Sequence, residues 1–98
     1  KEAATYKKVV LVEYPRDGLF ALGLVSNEKN KTVSDVIDGV EVYNVFIPTT
    51  PNPTTGFYIV VPQSKAIDTD YTVEEAFKLV VSAGALEPER NDGVKSND

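Results

Sequence analysis

The sequence predicts an α+β fold, mainly β: five or six short strands in a bent sheet or small partly open barrel, with one C-terminal helix. Two observations carry this. Short apolar runs rich in β-branched residues recur between residues 8 and 70, separated by turn signals. Only the stretch from Thr72 to Gly84 changes to a helical period, and it has both a start and a stop signal. There is no internal repeat and no heptad pattern.

Residues 1–7 are polar and lack apolar periodicity, and read as a linker. Lys8 to Tyr14 (KVVLVEY) is short and β-branched, and its continuous apolar run suits a strand buried on both faces. Pro15-Arg16-Asp17-Gly18 is a turn, since proline presets φ and glycine accepts positive φ. Leu19 to Ser26 continues as a second strand, so residues 8–26 read as a hairpin. Gly23 within it marks a bulge or a close backbone approach. After a polar loop, Thr32 to Ile37 reads as a weak strand. Asp38-Gly39, flanked by apolar residues, reads as a hairpin turn into a strand from Val40 to Ile47. Gly56 to Val61 is a further apolar strand. Pro62 to Lys65 turns the chain, and Ala66 to Asp70 is a last short extended piece.

The helix is predicted over 73–84. Thr72-Val73-Glu74-Glu75 fits a capping box. Val73, Phe77, Val80 and Val81 fall on one stripe with Ala76 and Leu79 beside it, and Gly84 suits the C-terminal end. Val10, Val12, Leu22, Phe46, Ile47, Phe57, Ile59, Phe77 and Val80 are expected to share one core. Residues 8–86 therefore read as a single globular domain, and residues 87–98, charged and without large apolar groups, as a disordered acidic tail.

Composition narrows the chemistry. Ninety-eight residues make one domain, with 42% hydrophobic and 26% charged residues, ordinary for a globular fold. There is no cysteine and no histidine, which removes thiolate metal sites, disulfides and the commonest general base. A net charge of −5 argues against nucleic acid as a partner. No apolar run approaches the roughly 20 residues that span a bilayer.

The most unusual segment lies between two strands. Pro48, Thr49, Thr50, Pro51, Asn52, Pro53, Thr54, Thr55 and Gly56 form a stiff, uncharged, hydroxyl-rich connector, expected to be an ordered crossover between two central strands. These nine residues are the candidate interaction loop. The loop has no Lys or Arg to favour phosphate and does not fit a P-loop. Asp68, Asp70, Glu74 and Glu75 cluster at the helix start, where acids complement the helix dipole; this is the stronger reading than a cation site. Glu13, Arg16 and Asp17 read as a solvated turn, and Tyr6, Tyr14, Tyr43, Tyr58 and Tyr71 as core-edge residues. No nucleophile has a base to activate it. No catalytic, cofactor-binding or metal-ligating residue is assigned, and the chain is not read as an enzyme.

Three stretches carry a resemblance: VVLVEYPRDGLFALGLVS, VFIPTTPNPTTGF and TVEEAFKLVVSAG, in that order between about residues 8 and 86. They resemble domain-of-unknown-function family 502, which includes the plant "continuous vascular ring" proteins. The resemblance implies a small membrane protein with two transmembrane helices before this region, which fits a chain starting at Lys1 rather than Met. It implies no established activity. The expectation is an interaction or assembly module on the cytoplasmic face of a membrane, partnered by protein, either itself or a cytosolic one. The alternative is a vestibule domain of an oligomeric channel or transporter.

Overall fold

A computed structural model describes residues 5–89. β1 (Lys8–Glu13) and β2 (Phe20–Asn27) form the expected antiparallel hairpin, in register from Lys8↔Val25 to Glu13↔Phe20. Its turn closes where the Tyr14 N–H donates to the Leu19 carbonyl at 2.9 Å, with Gly18 at φ 88°. The Tyr14–Pro15 and Thr50–Pro51 peptide bonds are cis.

The next segment corrects the sequence reading. Lys31–Val36 is a helix, α1, where a weak strand was expected. Asn30 caps it, its side chain accepting from the Val33 N–H at 3.1 Å, and Lys31 pairs with Asp35 one turn on at 2.7 Å. Asp38-Gly39 is therefore no hairpin turn. Both residues adopt positive φ, 63° and 79°, and the Gly39 N–H returns to the Ser34 carbonyl at 2.7 Å, ending the helix. Local capping chemistry outweighed β-branched content, and no residue of this short helix is buried.

β3 (Val42–Pro48) and β4 (Gly56–Pro62) pair in unbroken antiparallel register from Val42↔Pro62 to Pro48↔Gly56. A 3-10 turn over Gln63–Lys65 leads to the two-residue β5 (Ile67–Asp68), and then to α2 (Val73–Val81). The strand order is β4-β3-β2-β1-β5. The connector is thus a hairpin loop, and one strand that it joins, β4, is an edge strand and not a central one.

The order forces the sheet to curl. Four residues, 63–66, carry the chain from one edge strand to the other. Five residue steps reach at most about 18 Å even fully extended, and well under that with a 3-10 turn among them. Crossing four flat strand spacings needs about 19 Å. Contacts across the concave face agree: Tyr14, just after β1, meets Phe57 on β4 at 5.5 Å between ring centroids, with two strands between them in the sheet. Lys8 reaches Tyr43 on β3 in one direction and Asp68 on β5 in the other, each at 2.9 Å. Gly23 permits this curvature. A Cβ there would lie 2.5 Å from the Val45 side chain, which folds over it.

Apolar residues fill both faces, so the expected single core is split by the sheet. The concave face holds Val10, Val12, Val25, Val45 and Ile47, with Ile59, Val61 and Ala66 packed against them. On the other face Val9 and Leu24 are buried under Ala76 of α2, with Tyr6, Leu22, Phe46, Val73 and Phe77 around them. Each such fully buried Val or Leu contributes roughly 1.5–3 kcal/mol. Phe57, expected in the core, is 51% exposed, because it sits at the start of an edge strand.

α2 forms its capping box: the Thr72 hydroxyl accepts from the Glu75 N–H at 3.1 Å, and the Glu75 carboxylate from the Thr72 N–H at 3.0 Å. The helix ends at Val81, earlier than expected. Ala83, not Gly84, takes the first left-handed position, with φ 55°, and its N–H bonds the Val80 carbonyl. The Gly84 N–H then bonds the Leu79 carbonyl at 2.8 Å, completing a Schellman motif. The buried stripe is Ala76, Leu79 and Val80, and Val81 faces outward. Of the tail expected over 87–98, residues 90–98 lie outside the described residues. Glu87 accepts a hydrogen bond from the Tyr71 hydroxyl at 2.6 Å.

Candidate functional site

The proline-rich connector is held chiefly by its own hydroxyls and amides. Pro48 closes β3 and Gly56 opens β4. Between them the Thr49 N–H donates to the Thr55 carbonyl at 2.9 Å, and the Thr49 hydroxyl to the Asn52 carbonyl at 2.8 Å. The Asn52 side chain accepts from the Thr54 N–H at 3.1 Å and from the Thr54 hydroxyl at 2.6 Å, an Asx-type turn. Thr49 and Thr55 also join hydroxyl to hydroxyl. Among the described residues Thr50 alone reaches out of the loop by a side-chain hydrogen bond, donating to the Val80 carbonyl at 2.7 Å and fastening the connector to the end of α2. Pro48 and Pro53 are half-buried, while Thr50, Pro51, Asn52, Thr54, Thr55 and Gly56 are exposed. Glycine is required at position 56: a Cβ there would run into the Ile47 carbonyl oxygen.

The surroundings of the loop are apolar. β1 and β3 run in the same direction, so the turns that follow them lie at one end of the sheet, where Thr50 also meets the end of α2. Leu19, Phe20, Phe57, Tyr58, Val81 and Leu86 are exposed hydrophobic residues near this end or leading into it. An open groove of about 530 Å³, lined by Leu11, Phe20, Leu22, Thr50 and Val80 among others, separates α2 from the strands here. No Asp, Glu, Lys or Arg occurs between Glu41 and Lys65, so loop and edge strand form one uncharged surface in a chain with 25 charged residues in 98, ten basic and fifteen acidic. That gap in charge was readable in the sequence and locates β4 as well as the loop. What the sequence hid was that β4 lies at the edge, which leaves Phe57 and Tyr58 exposed.

The other candidates separate. Asp68 pairs with Lys8, and Glu75 serves the helix cap, so the acidic residues do not converge. Among the described residues, no group of three or more His, Cys, Asp or Glu is placed to hold a metal ion. Lys8 lies over the Tyr43 ring at 4.7 Å, and its ammonium is held well above its ordinary range by the hydrogen bond to Tyr43 and then by Asp68. Glu13, Arg16 and Asp17 are exposed at the first turn. Tyr6 stacks on Phe46 at 6.1 Å, and the Tyr58 hydroxyl donates to the Asn44 side chain at 3.1 Å.

These features define a curled-sheet α+β domain whose distinctive surface is a rigid uncharged loop joined to an open strand edge. The chain belongs to the family described as "Protein of unknown function (DUF502)", whose model matches residues 1–55, from the N-terminal segment through the connector's last threonine. No curated protein and no solved structure matches the chain. Among the described residues no helix is long and apolar enough to cross a membrane.

Proposed function

We propose that this domain is an interaction or assembly module of a small two-span membrane protein, facing the cytoplasm, with the Pro48–Gly56 loop as part of its contact surface. The observation that supports this reading is the pairing of an internally hydrogen-bonded, uncharged loop with exposed Phe57 and Tyr58 beside it. An ordered polar loop on a rigid scaffold presents a surface at little entropic cost. Apolar residues at its margin supply the desolvation energy that the loop lacks. The membrane setting comes from the family resemblance, and the partner is a protein.

The test is proximity labelling of the full-length protein in its membrane, comparing the native chain with Thr54→Lys/Phe57→Lys. Thr49 and Asn52 are left in place because they hold the loop together. The substituted chain should keep its circular dichroism spectrum and lose its labelled partners. An unchanged partner set from a folded variant removes the loop from the reading. Larger oligomers with ion flux in liposomes would replace the reading with a channel vestibule.

A further inference from the structure

We infer that β4 is a pairing edge for a second copy of this chain, joining two curled sheets into one through an antiparallel β4–β4 ribbon on a two-fold axis. This rests on the reading of the domain as an interaction module and names its partner.

The hydrogen-bond phase shows which backbone groups are free. The Gln63 N–H donates to the Glu41 carbonyl at 3.0 Å and the Thr49 N–H to the Thr55 carbonyl at 2.9 Å, just beyond the two ends of the β3–β4 register. Antiparallel pairs alternate between hydrogen-bonded and non-hydrogen-bonded. The pairs Tyr43↔Val61, Val45↔Ile59 and Ile47↔Phe57 are therefore the ones that exchange bonds. The peptide groups of Gly56, Tyr58 and Val60, and the Pro62 carbonyl, point away from the sheet. β4 is the last strand, and no backbone partner meets these groups among the described residues.

Edges of this kind are normally blunted by shortness, charge, bulges or proline. β4 has seven residues, no charge and no bulge; the one register shift in the sheet lies between β2 and β3. Only Pro62, at its end, lacks a donor.

Charge and register select a second copy as the occupant. The chain carries −5, so two copies repel wherever their charged surfaces meet. A two-fold ribbon also sets each strand beside its own duplicate, where a charge near the axis comes close to its like. The uncharged run between Glu41 and Lys65 removes that penalty along β4. With the axis beside Ile59, Tyr58 lies opposite Val60 of the second copy and the two exchange both backbone bonds. The Gly56 N–H then meets the Pro62 carbonyl, so the missing proline donor falls at the ribbon's end. The same register sets Phe57 opposite Val61 on the concave face and Tyr58 opposite Val60 on the other. Aromatic and β-branched residues are favourable cross-strand partners. Phe57 and Tyr58, 51% and 65% exposed in one copy, are covered in two.

The test is sedimentation equilibrium of the 98-residue chain from micromolar to millimolar concentration, with amide hydrogen exchange across the same range. A dimer is expected, with the Tyr58 and Val60 amides fast-exchanging in the monomer and protected in proportion to the dimer fraction. Tyr58→Lys and Val60→Glu should each weaken the dimer by about fivefold, since each sets a charge opposite an apolar or aromatic side chain and places two like charges diagonally across the axis. Tyr58→Lys/Val60→Glu together should restore it, because Lys then faces Glu. If a single variant unfolds, the native chain's exchange pattern decides alone. A chain that stays monomeric overturns the inference. So does a dimer whose Tyr58 and Val60 amides remain unprotected, which leaves the module reading standing with its contact elsewhere. Full-length labelling separates the two ideas: a monomer that still captures a partner through the loop keeps the module and loses the ribbon.

Discussion

The two edges of the sheet are built on opposite plans. At one edge β5 is two residues long, carries Asp68 tied to Lys8, and turns at once into the capped start of α2. Thr69 closes it, donating from its hydroxyl to the Val9 carbonyl at 2.9 Å. At the other edge β4 has seven residues in regular register, no charge, and two exposed aromatic side chains. The first edge has the features that prevent a strand from adding, and the second lacks them. One fold manages one edge and leaves the other open, which supports the proposed contact surface at β4 and the loop that feeds it.

The centre of the sheet sets the scale for both edges. Leu24 on β2 is fully buried against Val9 and Ala76. Leu24→Ala should cost about 2–5 kcal/mol, read as a lowered urea midpoint with unchanged slope. A smaller loss would mean that α2 docks loosely and that the two faces are unequal.

Gly56→Ala tests the open edge. Its Cβ would meet backbone, the Ile47 carbonyl oxygen, which cannot rotate away. About 1–3 kcal/mol of destabilisation is expected, with exchange protection lost first at the head of the β3–β4 hairpin and kept at β1. Uniform loss of protection would show that β4 is as integral as the central strands.

The other side of the molecule answers to helix ends. Thr72→Ala removes one half of the capping box beside β5 and should cost about 1 kcal/mol in thermal or chemical denaturation. Ala83→Gly should do the reverse. Ala83 holds φ 55°, which disfavours a Cβ, and glycine there should raise stability by about 1 kcal/mol. No gain would mean that the Schellman turn frays in solution.

The parts of the fold legible in sequence were those with local chemistry. The first hairpin turn, the capping box and the apolar strands each carry their own signal in adjacent residues. Thr32 to Ile37 was misread because its β-branched residues suggested a strand, while Asn30 and Asp38-Gly39, the actual cap and stop, were equally consistent with loops. Phe57 was misplaced because burial depends on strand order, and no local pattern states that β4 is last. The connector's composition marked it as ordered. Its role as a hairpin loop depends on which strands pair, which is a non-local fact. The charge-free run from Val42 to Ser64 is visible in the sequence, but becomes an argument only once β4 is known to be an edge.

The smallest expected effect concerns the closed edge and pH. Lys8 bridges Tyr43 and Asp68 at the rim of the concave face, with its side chain 31% exposed and that of Asp68 74%. Pairs this accessible to water contribute little, so Lys8→Met should change stability by no more than about 1 kcal/mol. The fold raises the ammonium's pKa above its ordinary value, through Tyr43 first and Asp68 second. A raised cationic group stabilises the fold fully below its unfolded pKa of about 10.4, and that contribution fades only as pH climbs through the folded value. The native chain and Lys8→Met should therefore differ by the same amount at neutral pH and at mildly alkaline pH, and converge only in strong alkali. If the difference instead survives in strong alkali, Lys8 acts through the packing of its stem and not through its charge. The closed edge would then rest on packing rather than on charge, which would narrow its contrast with β4, a strand without Asp, Glu, Lys or Arg.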